Sequence, residues 1–527
     1  MQSSRQYCEK FGAMNLNHFQ QKAFSYGTIG ALVSTAFVAI LIAWQIVYGY
    51  ITFPLIICLA ILFWIITYLG ILSIEVLSLV CVLGVNLFLL NRFDNEYSLV
   101  FGGIIFKLSF FMMTFVVCIL FLKNFFSNVI SRNNIINKNK SIPSFKTLFA
   151  LMGIGLISAL FNREDYGKVL DSVYALLYFV IPIFYVYLIP RLSLRRAELI
   201  FLVKCFVIMG ITLSAIIIVV SFYTYYFMRI FGWESLGSWV SLDFIRISLS
   251  FGSANAGAAI LSMVLPVCLF SYLCEKRTFG KLLFISASLL LVIGSLITLS
   301  RTGILVLGVL LLGCFASSRG FGTGIKKYII LILTVVVIIG MFLNFDLSRY
   351  FRTETGRVQQ YKTGARIIAD NILFGVAPNN VYKRMDLMWR DIRQKGHIGW
   401  QKLLEYKSTC YKGHWTFYDP HNVYLMILTE IGLFGFLFFV FILVDIIKTV
   451  LHTTKNNFIS VYEKQILTGM LWGIIGFLLH CLTGSYLVNN YKVAVFFWIY
   501  AGTALALSCD GPSRDLPGKF SSRSGKS

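Results

Sequence analysis

The chain has 527 residues, of which 58% are hydrophobic and only 13% charged, with a formal net charge of +23. The charged share is about half that of soluble domains, which excludes a soluble globular protein of this length. The basic excess does not indicate a nucleic-acid partner, because it is spread along the chain by position and not gathered into a patch.

In chain order, apolar windows of the ~20 residues needed to cross a bilayer core predict spans at 27–48, 50–71, 72–91, 98–122, 146–161, 169–190, 199–222, 255–274, 281–299, 302–317, 327–345, 421–447, 466–483 and 490–508. The run from Ile51 to Leu90 reads as a hairpin or a re-entrant piece. All these windows are apolar throughout, without the alternation of a transmembrane barrel. The expected fold is all-α: a polytopic integral membrane protein with about 12–14 transmembrane helices. Alternate connections are rich in Lys and Arg: the N-terminus (Arg5, Lys10, Lys22), Lys123 to Lys146, Arg191/Arg195/Arg196, Lys276/Arg277/Lys281, Arg319/Lys326/Lys327, Lys448/Lys455/Lys464 and the tail (Arg514, Lys519, Arg523, Lys526). The intervening connections hold few: Arg92, Arg163, Lys168, Arg229, Arg246, Arg301 and Lys492. This positive-inside alternation puts both termini in the cytoplasm, with membrane lipids as surroundings and anionic headgroups facing the basic connections.

The N-terminus is polar for about 25 residues, unlike a cleavable signal peptide. The eleven cysteines include no Cys-x-x-Cys pair and mostly fall inside predicted spans, where Cys serves as a small apolar residue. Four regions follow: N-terminal transmembrane helices over 1–345, a large outer loop over 346–420, C-terminal transmembrane helices over 421–508, and a polar tail over 509–527. In the loop, Gly356 to Asn371 has apolar Val358, Tyr361, Ala365, Ile368 and Ile372 at spacings of three or four, predicting an amphipathic helix. The Gly and Pro of Asn371 to Asn380 end it.

Three segments at the outer edge stand out: Arg246 to Asn255, Ser300 to Gly303, and Pro420 to Leu425. Alone, Arg246 is accounted for as an interfacial arginine whose head reaches water. Arg301 is harder to dismiss, because a tight turn between apolar runs needs Gly303 but not an arginine, whose planar fork grips two phosphate oxygens at once. His421 opens a predicted span, with Asp419 as N-cap and Pro420 in the first turn. The positive helix end there favours neutral imidazole, which can accept a proton, while Asp419 would oppose this. The acidic turns Asp94/Glu96 and Glu164/Asp165 could bind a cation, although short acidic turns are usually just solvated. No metal or cofactor is expected. Lys107, deep in 98–122, and Lys204, near the inner end of its span, would be the marks of a transporter or flippase.

The pattern R-x4-F-G-x-x-N at Arg246, Phe251, Gly252 and Asn255 resembles the O-antigen ligase and polymerase superfamily. So do S-R-T-G at Ser300 to Gly303, the run from Gly356 and Arg357 through Lys362 to Asn371, Gly375 and Pro378, and H-N-x-x-L…G-x-x-G from His421 and Asn422 through Gly432 and Gly435. Two departures are Ser253-Ala254 where Asn-Pro is usual before Asn255, and Ile372 where Pro is usual after Asn371. The resemblance implies a GT-C-like bacterial inner-membrane glycosyltransferase facing the periplasm. Its donor would be an undecaprenyl-diphosphate-linked glycan and its acceptor lipid A-core or a growing glycan. It further implies that Arg246 and Arg301 hold the diphosphate and His421 activates the acceptor, with Asn255, Asn422, Arg357, Lys362 and Arg366 as substrate contacts. O-antigen ligation, polysaccharide polymerisation and protein O-glycosylation all fit that frame.

Overall fold

The computed structural model describes residues 73–88, 99–101, 104–130, 144–162, 169–192, 194–223, 240–241, 244–247, 253–298, 300–317, 360–362, 364–381, 383–384, 420–455, 459–488 and 490–509. The expected spans 27–48, 50–71 and 327–345 lie outside these residues, as do most of the outer loop and the tail after 509. Within them the protein is helical, with two short antiparallel hairpins. The elements are α1 (Ile74–Phe88), β1 (Leu99–Phe101), β2 (Ile104–Phe106), α2 (Leu108–Ile130), α3 (Phe145–Phe161), α4 (Val169–Leu188), α5 (Arg196–Tyr223), β3 (Val240–Ser241), β4 (Phe244–Ile247), α6 (Ala254–Cys274), α7 (Thr278–Ile297), α8 (Arg301–Ser317), α9 (Val423–Lys455), α10 (Val461–His480) and α11 (Tyr491–Cys509). Among the described residues, six helices are at least 18 residues long and apolar enough to cross a membrane.

The expected span 98–122 is corrected. Leu99↔Phe106 and Phe101↔Ile104 pair as a hairpin, and the helix starts only at Leu108. Residues rich in Val, Ile and Phe around Gly102-Gly103 favour strands joined by a two-residue turn. Lys107 is therefore a half-buried residue at the strand–helix junction and not deep in a span, which removes the better of the two transport arguments.

Burial sorts the helices into centre and rim. The apolar windows of α6 and α11 are 94% and 89% buried, that of α7 only 33%. α6 earns its place by having small residues in its first half (Ala254, Ala256, Gly257, Ala258, Ala259) and no charge anywhere. A helix apolar all round is one surrounded by others. α10 fits against it through glycines. A Cβ on Gly469 would lie 2.8 Å from the Val267 Cα, and one on Gly473 would strike the Met263 carbonyl. Such stripes of small residues let helix backbones approach closely where the hydrophobic effect cannot drive association. The rim helices show apolar stripes outward: Phe111, Phe115, Ile119, Leu122 and Phe125 on α2, and Phe434, Leu437, Phe441 and Val444 on α9 are exposed. Stripes of this length are covered by lipid in a membrane protein.

The ends of the bundle differ in charge. α5 and α10 start at one end, where the Arg196 guanidinium pairs with Glu463. Glu463 also closes a capping box with Ser460 at the start of α10. Arg191, Arg195, Arg277 and Lys455 share that end by chain direction. α6, α8 and α9 all begin at the opposite end, which carries the segments singled out by sequence.

Candidate functional site

At that end the first turns of α6 and α8 touch, since a Cβ on Gly303 would lie 2.8 Å from Ala258 Cβ. Asn255, half-buried, is one turn back on α6. Ser300 is fully buried and caps α8 by accepting the Gly303 N–H at 3.0 Å. Arg301 is thus the first residue of a 17-residue helix, half-buried at its positive end. Backbone N–H groups, helix dipole and a guanidinium all favour an anion there.

His421 is not the start of α9. It has φ 46°, in the left-handed region, and the helix begins at Val423. The cap is Asn422, whose Oδ1 accepts from the N–H groups of Tyr424 at 2.9 Å and Leu425 at 3.1 Å. A two-residue shift follows physically: Asn is a strong N-cap, and a residue with left-handed backbone cannot begin a helix. Asp419, expected as cap, lies outside the described residues, and Pro420 is buried just ahead of the turn. The Asn422 Nδ2 donates to the Leu482 carbonyl at 3.0 Å, so its carboxamide is engaged at both ends.

The connection between α10 and α11 ties these segments together. Thr483 and Thr302 share a hydroxyl–hydroxyl hydrogen bond of 2.8 Å. The Val423 N–H donates to Cys481 O at 2.9 Å, and the Tyr361 hydroxyl reaches Leu482 O at 3.2 Å. One turn earlier, His480, fully buried, bonds Ser262 Oγ on α6 through Nε2 at 3.1 Å, while its Nδ1 has no hydrogen-bond partner. Thr302 is the neighbour of Arg301, Asn422 of His421, and Tyr361 of Lys362. The structure therefore gathers the α8 and α9 starts, α6 at Ser262 and the loop helix around residues 480–483. A histidine inside the predicted span 466–483 was the available signal.

The loop helix, described over 360–362 and 364–370, packs differently from expectation. Gln360, Gly364 and Ile367 are buried, while Ala365 and Ile372 are exposed. Gly364 faces Pro420 and Thr429, where a Cβ would sit in ordinary contact at 3.9 Å. Lys362 and Arg366 are exposed, one turn apart on the outward face. Arg357 lies outside the described residues, as do Phe251 and Gly252 and the acidic pairs Asp94/Glu96 and Glu164/Asp165. Arg246 is on β4, which packs beside α5.

After the loop helix, residues 371–380 plug a break in α9. Gly432 (φ 73°, ψ −170°) interrupts the helix. In an unbroken helix the Leu433 N–H would donate to Thr429 O. Here Leu433 donates to Ile372 O at 2.8 Å, and Thr429 O accepts from Val376 N–H at 2.8 Å. The buried Glu430 carboxylate accepts the Asn379 N–H at 2.8 Å, Ser158 on α3 donates to Glu430 O at 3.1 Å, and Asn162 donates to Gly375 O at 3.1 Å. Irregular backbone at membrane depth survives only when every freed group is satisfied in this way. All positive-φ residues among those described (Gly375, Ala377, Asn379, His421, Gly432) fall in these two docked segments. Left-handed backbone persists only where its surroundings over-determine it, and it clusters at functional sites.

Residues 286–440 match the family model Wzy_C, described as O-antigen ligase. The match spans the second half of α7, α8, the loop helix, the plug and the first half of α9. No curated protein matches the chain.

Proposed function

We propose that this membrane protein of the O-antigen ligase superfamily transfers a glycan from undecaprenyl diphosphate to a hydroxyl of lipid A-core, on the periplasmic face of the inner membrane. The bond from the sugar's anomeric carbon to the diphosphate breaks, a bond to the acceptor oxygen forms, and the acceptor proton passes to His421. Negative charge builds on the departing diphosphate, and Arg301 and Arg246 are its counter-charges. Preorganised donors aimed at developing charge each contribute about 10²–10³ in rate. A positioned general base adds about 10²–10⁴. Arginines supply the cationic role, so the step needs no metal. Asn255, Arg357, Lys362 and Arg366 contact donor phosphate or sugar, and Asn422 holds the His421 segment.

One observation carries most of this: Arg301 at the positive end of α8 is joined, through Thr302, Thr483 and Leu482, to the segment bearing His421. Glycan transfer in O-antigen biosynthesis is what the family match supports. The test is expression in a ligase-deficient strain with inspection of its lipopolysaccharide. Core capped with long chains is the expected result. Ladders appearing in a polymerase-deficient strain would reassign the protein to chain polymerisation. Arg301→Lys and His421→Ala should reach the membrane in normal amounts yet lose transfer by about 10²-fold or more. Full activity in either removes that residue from the mechanism.

A further inference from the structure

Residues 480–483 lie outside the matched stretch 286–440, yet they hold its parts in register. The turn is itself ordered by the Thr483 N–H donating to His480 O at 3.0 Å and the Leu482 N–H to Leu479 O at 3.2 Å. It is anchored to α6 by His480 and Ser262. From this base the Thr483 hydroxyl meets the first turn of α8, Cys481 O takes the first N–H of α9, and Leu482 O takes both the Asn422 carboxamide and the Tyr361 hydroxyl. A carbonyl with two acceptor directions can serve two donors at once. Three separate stretches of chain thus take their relative position from one short connection.

We propose that Thr483 is a positioning residue for glycan transfer: by its bond to Thr302 it sets Arg301 against the His421 segment held by Leu482. This rests on the roles given to Arg301 and His421 above. Thr483 touches neither donor nor acceptor. Its effect is on the distance between the leaving diphosphate and the acceptor base, so it governs the chemical step more than donor binding. Small misplacements of reacting groups cost up to about 10²-fold in rate.

The test uses the full chain with three variants. Thr483→Val keeps the shape and removes the hydroxyl, Thr483→Ser keeps the hydroxyl, and Thr302→Val removes the partner. Transfer is measured in membranes at saturating lipid-linked glycan, normalised to protein abundance. Binding is measured with undecaprenyl diphosphate on the purified protein. Thr483→Val and Thr302→Val should each lower the maximal rate roughly tenfold, with undecaprenyl diphosphate binding unchanged within about twofold. Thr483→Ser should recover most of the rate. The double variant should be no worse than Thr483→Val alone, which already removes the bond to Thr302 together with the 3.3 Å bond from the Thr483 hydroxyl to His480 O. A normal rate in Thr483→Val, or a Thr483→Ser variant as slow as Thr483→Val, overturns the positioning role. If Arg301→Lys and His421→Ala are inactive while Thr483→Val is normal, only this inference fails. If those two are active, the functional assignment itself fails.

Discussion

Gly432 shows how one residue can decide a local architecture. Its φ of 73° with ψ near −170° lies in a region that is essentially glycine's alone, and an added Cβ would strike the Leu373 carbonyl. Gly432→Ala should therefore cost at least ~1–3 kcal/mol and displace the 371–380 plug. Gly153, in the interior of α3, offers the contrast: a Cβ there meets nothing within 4 Å. Gly153→Ala should be neutral or stabilising by up to ~1 kcal/mol, because alanine loses less freedom in a helix. Thermal unfolding of the detergent-solubilised protein separates the two, and equal melting temperatures would show that the α9 break does not need its glycine. Sequence marked Gly432 as part of a G-x-x-G run but not as a break, since a glycine between apolar residues reads equally as a packing contact. The chain break at Arg301 was legible, because Ser300 to Gly303 interrupts two apolar runs. The left-handed backbone of His421 was not, because only packing around Pro420 and Asn422 fixes it.

Among the elements, the union of the plug with α9 is held by Glu430. Glu430 is 3% exposed; its carboxylate takes the Asn379 N–H, while its backbone carbonyl takes Ser158. Leaving a buried donor unmet costs ~1–3 kcal/mol. Glu430→Leu should therefore free the plug, which trypsin would report by faster cleavage at Lys383 and Arg384. Glu430→Gln keeps an acceptor oxygen and should stay resistant. If Glu430→Leu is cleaved no faster, the carboxylate is not the fastener. An ionisable residue inside a predicted span was visible in sequence and was the signal for this contact. Helix existence was also legible, since apolar runs of span length have few other solutions. Two features were not. The 99–106 hairpin hid inside a run apolar enough to be a helix, and the loop helix buries its Gln360–Gly364–Ile367 face, which apolar spacing does not register.

For the whole molecule, chain direction and charge alternation fix which ends of the helices lie together, and both are written in sequence. Which helix sits at the centre is less legible, because spans apolar on all sides carry no moment to point with. The answer here lies in small residues. α10 meets α6 along Gly469 and Gly473 and meets α8 at Gly476, where a Cβ would come within 2.6 Å of the Leu310 side chain. Gly473 is the tightest of these, facing the Met263 carbonyl and the Tyr500 hydroxyl that bonds it at 3.0 Å. Overpacking a well-filled interface costs ~1–3 kcal/mol and forces backbone shifts. Since α10 ends in the turn that touches Thr302 and Asn422, a shift of α10 off α6 is transmitted to both. Gly473→Leu should lower the melting temperature in detergent and reduce transfer together, Gly469→Ala should do so less, and Gly153→Ala should do neither. Loss of stability in Gly473→Leu with transfer fully retained would mean that the α6–α10 contact supports the bundle without setting the site.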